Sequence, residues 1–248
     1  MTDYLVLAAA AFFAGMLNTV AGGGTFLTFP ALVYTGVPVV AANATSAVAV
    51  FPGYLAGAAG FRREIATFDR VRLVKIVVAT AIGGLIGSVL LLFSSNEAFS
   101  AVVPFLLTLA TLAFAFGDKI RDWAQRHSFG SAEGPVGTVL VSIYGGYFNG
   151  GLGIVLLALF SLWGMRDINL MNGLKTGLSF VLSAISVATF ALAGLVAWPQ
   201  ALVMMAAATA GGYAGAPLAR ALPRSTVRAV VIVVGAAMSA IFFWRLFA

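Results

Sequence analysis

Four short segments carry the polar residues that could bind a solute inside an otherwise apolar chain. Residues 15–26 read GMLNTVAGGGTF, residues 43–46 read NATS, residues 145–153 read GGYFNGGLG, and residues 172–177 read NGLKTG. Asn18, Asn43, Asn149 and Asn172 offer neutral amides, Thr45, Ser46 and Thr176 offer hydroxyls, and Lys175 offers a cation. Gly22, Gly23, Gly24, Gly150 and Gly151, with Gly153 just beyond, let the chain turn and bare its backbone N–H groups. A helix that restarts after such a turn presents unpaired amides and the positive end of its dipole. Two such ends facing each other would make an anion site, and these residues, Gly153 aside, are the expected substrate-binding set.

Other chemistry is poorly supplied. The acidic residues Asp3, Glu64, Asp69, Glu97, Asp118, Asp122, Glu133 and Asp167 all fall outside the apolar cores. No carboxylate is therefore placed to hold a desolvated cation or relay protons, as cation transporters and pumps require. The single histidine, His127, sits in a polar segment, where it reads as a solvated loop residue. There is no cysteine, which excludes a disulfide, a thiolate ligand or a thiol relay. No metal or cofactor site is expected. An intramembrane protease would need a base beside Ser46, Ser179 or Ser183, and only Lys175 is at hand, so an enzyme is not expected.

Lys175 stands apart from the other basic residues. It lies seven residues into the apolar run that begins at Ile168, roughly 10 Å deep at 1.5 Å per residue. Anion contact is one reading of an ionisable group at that depth. Snorkelling of its long stem to the membrane surface is the other.

The elements that must position these residues are membrane helices. The chain is 61% hydrophobic and 9% charged, against roughly 25% charged in a soluble domain, so it cannot stay dissolved in water. Its net charge of +6 comes from loops between apolar runs and reflects orientation in a membrane rather than nucleic-acid binding. The N-terminal MTDYLVLAAAAFF has no Lys or Arg before its apolar run, so it reads as mature protein rather than a signal peptide.

The apolar runs are Tyr4–Tyr34, Val39–Phe61, Val71–Phe93, Phe99–Phe116, Pro135–Trp163, Ile168–Ala197, Gln200–Ala219 and Val227–Phe247. Most match one tilted spanning helix. The two longer ones, Tyr4–Tyr34 and Pro135–Trp163, carry the glycine breaks.

A duplication relates these runs. Asn18 and Asn149 are 131 residues apart, Asn43 and Asn172 are 129 apart, and Gly83 and Gly211 are 128 apart. Three matches in order argue for two repeats. The GxxxG pairs Gly83/Gly87 and Gly211/Gly215 read as close helix packing.

Charge decides how the broken runs lie. If each is one crossing, the basic residues split nine against four between the two faces. If each enters and returns on one face, twelve collect together: Arg62, Arg63, Arg70, Arg72, Lys75, Lys119, Arg121, Arg126, Arg166, Arg220, Arg224 and Arg228. Arg245 alone is left opposite. Basic loops mark the cytoplasm, so both termini are expected outside it. The expected fold is an all-α polytopic membrane protein of two inverted repeats, each a broken or re-entrant helix pair plus three spanning helices. The boundaries are 1–117 for the first repeat, 118–134 for a cytoplasmic linker read as a loop, and 135–248 for the second repeat. Paired interruptions in inverted halves point to a transporter site near the midplane.

The segment GMLNTVAGGGTFLTFPALVYTGVPVVAANATSAVAV resembles the first-half signature of the TauE/SafE sulfite exporter family, and NGGLG and NGLKTGLS resemble its second-half counterparts. The resemblance covers nearly the whole chain. It implies a multi-pass transporter of the bacterial inner membrane that exports a small sulfur-containing or organic anion, such as sulfite or the sulfonate sulfoacetate, by alternating access. The implied partners are that anion and the lipid bilayer, with a homodimer left open and no nucleic acid. Coupled uptake of an organic anion and a non-transporting assembly subunit are the competing readings.

Overall fold

A computed structural model of the chain describes residues 2–20, 23–127, 134–221 and 224–247. Among these residues the fold is all-helical. The helices are α1 (Thr2–Val20), α2 (Thr25–Tyr34), α3 (Val39–Gly60), α4 (Arg62–Ile65), α5 (Arg70–Leu92), α6 (Asn96–Arg126), α7 (Pro135–Tyr147), α8 (Leu152–Leu162), α9 (Ile168–Leu192), α10 (Trp198–Ala221) and α11 (Arg224–Phe247). The two long apolar runs are the two that split, into α1 with α2 and α7 with α8. Helices α3, α5, α6 and α9 are each long and apolar enough to cross a bilayer.

Local chemistry sets the helix ends. Asp69 accepts from the Arg72 amide at 2.9 Å and starts α5. Ser95 accepts from Ala98 at 3.1 Å and starts α6. Asp167 takes the Asn169 and Leu170 amides at 2.9 and 3.2 Å and starts α9. Each supplies an oxygen to amides that have no partner within their own helix. Gly36 and Gly164, 128 residues apart, close α2 and α8 in the left-handed region at φ 85° and 78°. Both ends bond back across six residues, Val37 N–H to Leu32 O and Met165 N–H to Phe160 O.

The segment from Asp118 onward, expected as a loop, is helical as far as Arg126. Residues 118–126, DKIRDWAQR, contain no glycine or proline to stop α6. Ala124 is buried while Asp118, Asp122 and Trp123 are exposed, so the extension is an amphipathic end of a spanning helix. His127 follows it, exposed, with Nδ1 2.9 Å from the Trp123 carbonyl and its ring stacked on the indole.

Helix pairing crosses between the halves. α1 packs on α10 and α5 on α7, α3 meets α9 and α6 meets α11, and α3 also touches α10 as α5 touches α9. Glycines make the closest of these contacts. A Cβ on Gly211 would overlap the Phe12 carbonyl, one on Gly15 the Ala208 carbonyl, one on Gly87 the Ile143 carbonyl, and one on Gly146 the Gly84 carbonyl. Such approach of backbones is how helices associate where lipid removes the hydrophobic drive between them. The outer face of α5 exposes Val71, Val74, Val78, Ile82, Leu85 and Leu90, an apolar stripe at helical spacing suited to lipid.

Candidate functional site

The two breaks are built differently. α1 holds Asn18 in its last turn, and the Asn18 Oδ1 accepts the Gly24 N–H at 2.8 Å. That bond caps the approach to α2 and folds it back against α1, since a Cβ on Gly24 would meet Ala14 and Asn18. Gly23 is buried beside it, and Gly22 lies outside the described residues. The turn continues with Thr28, whose hydroxyl bonds Ser46 at 2.6 Å. Thr45 accepts the Ala197 N–H at 3.0 Å. Asn18, Thr45 and Ser46 therefore all serve bonds within the protein.

The second break is left open. α7 and α8 run antiparallel, with Gly137 facing Leu159 and Gly145 facing Leu152. The turn between them uses Gly151 at φ 73°, a conformation that costs an L side chain about 1–2 kcal/mol. The Tyr144 hydroxyl donates to the Gly150 carbonyl and braces the turn. Among the described residues the amides of Asn149, Gly150 and Gly151 serve no hydrogen bond. The Asn149 side chain is 6% exposed, and neither its Nδ2 nor its Oδ1 makes a hydrogen bond. The Tyr54 hydroxyl approaches it without closing a bond of proper geometry. Burying an unpaired amide costs about 1–3 kcal/mol, a cost that a bound water or ligand would relieve.

Asn149 faces a small cavity of about 10 Å³, room for about one water, bounded by Asn43 and Ala47 of α3, Gly145 and Gly146 of α7, and Ser183 and Ser186 of α9. Asn43 anchors this wall by donating from Nδ2 to the Tyr147 carbonyl at 2.9 Å. The Ser183 hydroxyl is buried without a partner, and Ser186 accepts from Ser88 at 2.8 Å. Asn43 and Asn149, expected in different pairs with Asn172 and Asn18, both line this cavity. Ser183 and Ser186 are functional candidates the sequence reading did not include. Their signal was present: Asn172, Thr176, Ser179, Ser183 and Ser186 recur at three- and four-residue intervals along one face of α9.

Asn172, Lys175 and Thr176 form a second group near the start of α9. The Lys175 ammonium donates to Asn172 Oδ1 at 3.0 Å, and Thr176 donates to the Asn172 carbonyl at 2.8 Å. The Lys175 stem lies against the first turn of α8, where a Cβ on Gly153 would sit 3.3 Å from its Cδ. Among the described residues no carboxylate pairs with this half-buried cation. Its Cδ lies against Gly153 while its ammonium reaches back toward the start of α9 to Asn172. The start of α8 is thus flanked by the Lys175 stem from α9 and preceded by a turn that carries free amides and the unpaired Asn149. The described residues hold no cluster of His, Asp and Glu that could bind a metal.

Comparison with known proteins gives this arrangement its setting. The chain is 29% identical over 241 residues to a probable membrane transporter protein of Haemophilus influenzae, covering 95% of this chain and 92% of that one. It is 27% identical over 242 residues to the probable membrane transporter protein YfcA of Escherichia coli K12, covering 95% and 87%. A probable membrane transporter protein, ORF9, of a Sinorhizobium species is 24% identical over 232 residues, covering 93% and 88%. No solved structure matches the chain. The sulfite exporter TauE/SafE family matches residues 7–242, which takes in both breaks, both asparagine pairs and Lys175. This multi-pass membrane chain therefore belongs to the TauE/SafE family, a family of transporters rather than enzymes.

Proposed function

We propose that the protein exports a small sulfur-containing or organic anion, of the sulfite or sulfonate kind such as sulfoacetate, across the bacterial inner membrane by alternating access. The observation that carries this reading is Lys175, a half-buried cation without a carboxylate partner, laid against the first turn of α8. A charge in that setting is stabilised by an anion that shares it with the helix amides. Asn149, Asn43 and the α9 hydroxyls continue the polar path away from Lys175.

Two inverted repeats, residues 1–117 and 135–248 joined by 118–134, give the transporter its moving halves in this reading. The contact pattern supports them. Exchanging each helix for its repeat mate turns α1 on α10 into α7 on α5, and α3 on α10 into α9 on α5, and both contacts exist. Each broken run then enters and leaves on one face, with Lys175 toward the cytoplasm and both termini outside it. Capture at the cytoplasmic end suits export, which an inside-negative potential favours by about 2.3 kcal/mol per charge per 100 mV. Among the described residues no Asp or Glu is fully buried, as coupling of proton movement to the opposite direction would ask for.

Purified protein in liposomes tests this. Sulfite or sulfoacetate should raise its melting temperature, and efflux should accelerate when the interior is made negative without a proton gradient. Accumulation that appears only with a proton gradient would support coupled uptake instead. No response to sulfite, sulfate, sulfoacetate or simple carboxylates would point to an assembly subunit.

A further inference from the structure

Phe51 of α3 and Phe180 of α9 stack with ring centroids 5.4 Å apart and planes 13° from parallel. They are separated by the same 129 residues as Asn43 and Asn172. Under the proposed duplication they are therefore repeat mates, and mates that touch lie on the axis relating the halves. The α3–α9 seam runs antiparallel past this stack. On one side Ala47 and Asn43 meet Ser183 and Asn149 around the cavity. On the other side Gly57 meets the Thr176 methyl.

The two sides differ in exposure although their residues correspond. Asn43, Ala47 and Ser183 are 4%, 5% and 0% exposed. Their mates Asn172, Thr176 and Tyr54 are each half-buried, and nearby Gly53 is exposed, with open space where a Cβ would stand. Phe148, next to Asn149 in the chain, packs on Phe29, which also meets Phe99 and Phe242.

We propose that the Phe51–Phe180 stack is the central gate of the α3–α9 seam, separating its half-buried end at Thr176 and Gly57 from its buried end at Ala47 and Ser183. An anion passing along the seam from Thr176 must part the rings to reach Ala47 and Ser183. Their flat apolar faces offer a passing anion no hydrogen bond, so the closed stack blocks leakage. This rests on the transporter reading of the same site, but its test needs no substrate.

The chain has no cysteine, so single cysteines report accessibility without background. In nanodiscs, which bare both membrane faces, Thr176→Cys should react with a membrane-impermeant maleimide at least tenfold faster than Ala47→Cys. Adding Phe51→Ala and Phe180→Ala should raise labelling of Ala47→Cys at least tenfold. The milder Phe180→Leu should raise it by a smaller factor. A cysteine at Thr80, buried in α5, should stay protected in every background, which separates gate opening from unfolding. The gate is overturned if Ala47→Cys labels as fast as Thr176→Cys in the parent. It is also overturned if the alanine pair leaves Ala47→Cys protected, or if Thr80→Cys becomes reactive in step with it. Because no anion is present, these outcomes stand whether or not sulfite proves to be the substrate.

Discussion

The turn after α1 and the turn after α7 descend from the same pattern, asparagine followed by glycines, yet they spend their polar groups in opposite ways. At the first, Asn18 lies inside a helix and caps Gly24. At the second, Asn149 lies between helices, buried and unpaired. The spacing differs too: Asn18 is seven positions before the first residue of α2, and Asn149 is three positions before the first residue of α8. Under the proposed duplication, one asparagine has become a brace and its mate is left buried and unpaired. Repeat symmetry alone therefore does not identify a functional residue.

The sharpest way to break this comparison is to remove both asparagines in turn. Asn149→Leu should abolish transport, at least a hundredfold, while the melting temperature holds or rises, because the change deletes a buried polar group that costs about 1–3 kcal/mol unpaired. Flux and thermal denaturation measured on the same preparation check it. A fall in melting temperature with flux intact would reverse the roles assigned to the two breaks.

Lys175 sharpens the comparison next, since it lies on the second break and its mate Ser46 is bonded to Thr28. Lys175→Met should weaken anion binding by roughly 30-fold, the equivalent of about 2 kcal/mol for a lost charged hydrogen bond. Lys175→Arg should recover part of it. Ser46→Ala should leave affinity nearly unchanged. Titration of sulfite against each variant distinguishes them.

Gly151→Ala comes third. Its left-handed backbone and the nearby Ala110 side chain should lower stability by about 1–2 kcal/mol, with a loss of affinity because the free amides shift. The smallest effect is expected from Asn18→Ala, which removes one cap. Stability should fall by about 1 kcal/mol with transport retained, as denaturant or thermal unfolding would record.

Much of the fold was legible because its signals are local. An apolar run of helix length needs no partner to announce itself, and glycine clusters in two such runs marked the breaks before α2 and α8. Asp69, Ser95 and Asp167 cap the helices they precede. The loop expectation for residues 118–126 failed because charge density was read as irregularity. Those residues are good helix formers, and a spanning helix continues into water when nothing stops it. From sequence Ser183 reads only as a serine wanting a base, and its place with Ser186 on the cavity wall depends on the rotation of α9.

The sequence by itself determined that the chain lives in a bilayer, that its apolar runs are interrupted twice, and that Lys175 lies seven residues inside an apolar run while every carboxylate falls outside those runs. Those properties follow from composition and covalent order, and no folding can change them. Only the tertiary structure decided which asparagine is free, which serines face it, and that Phe51 lies on Phe180. Hydrogen bonds and ring contacts between residues more than a hundred positions apart depend on helix rotation and crossing, and these are set by where glycines let two backbones touch.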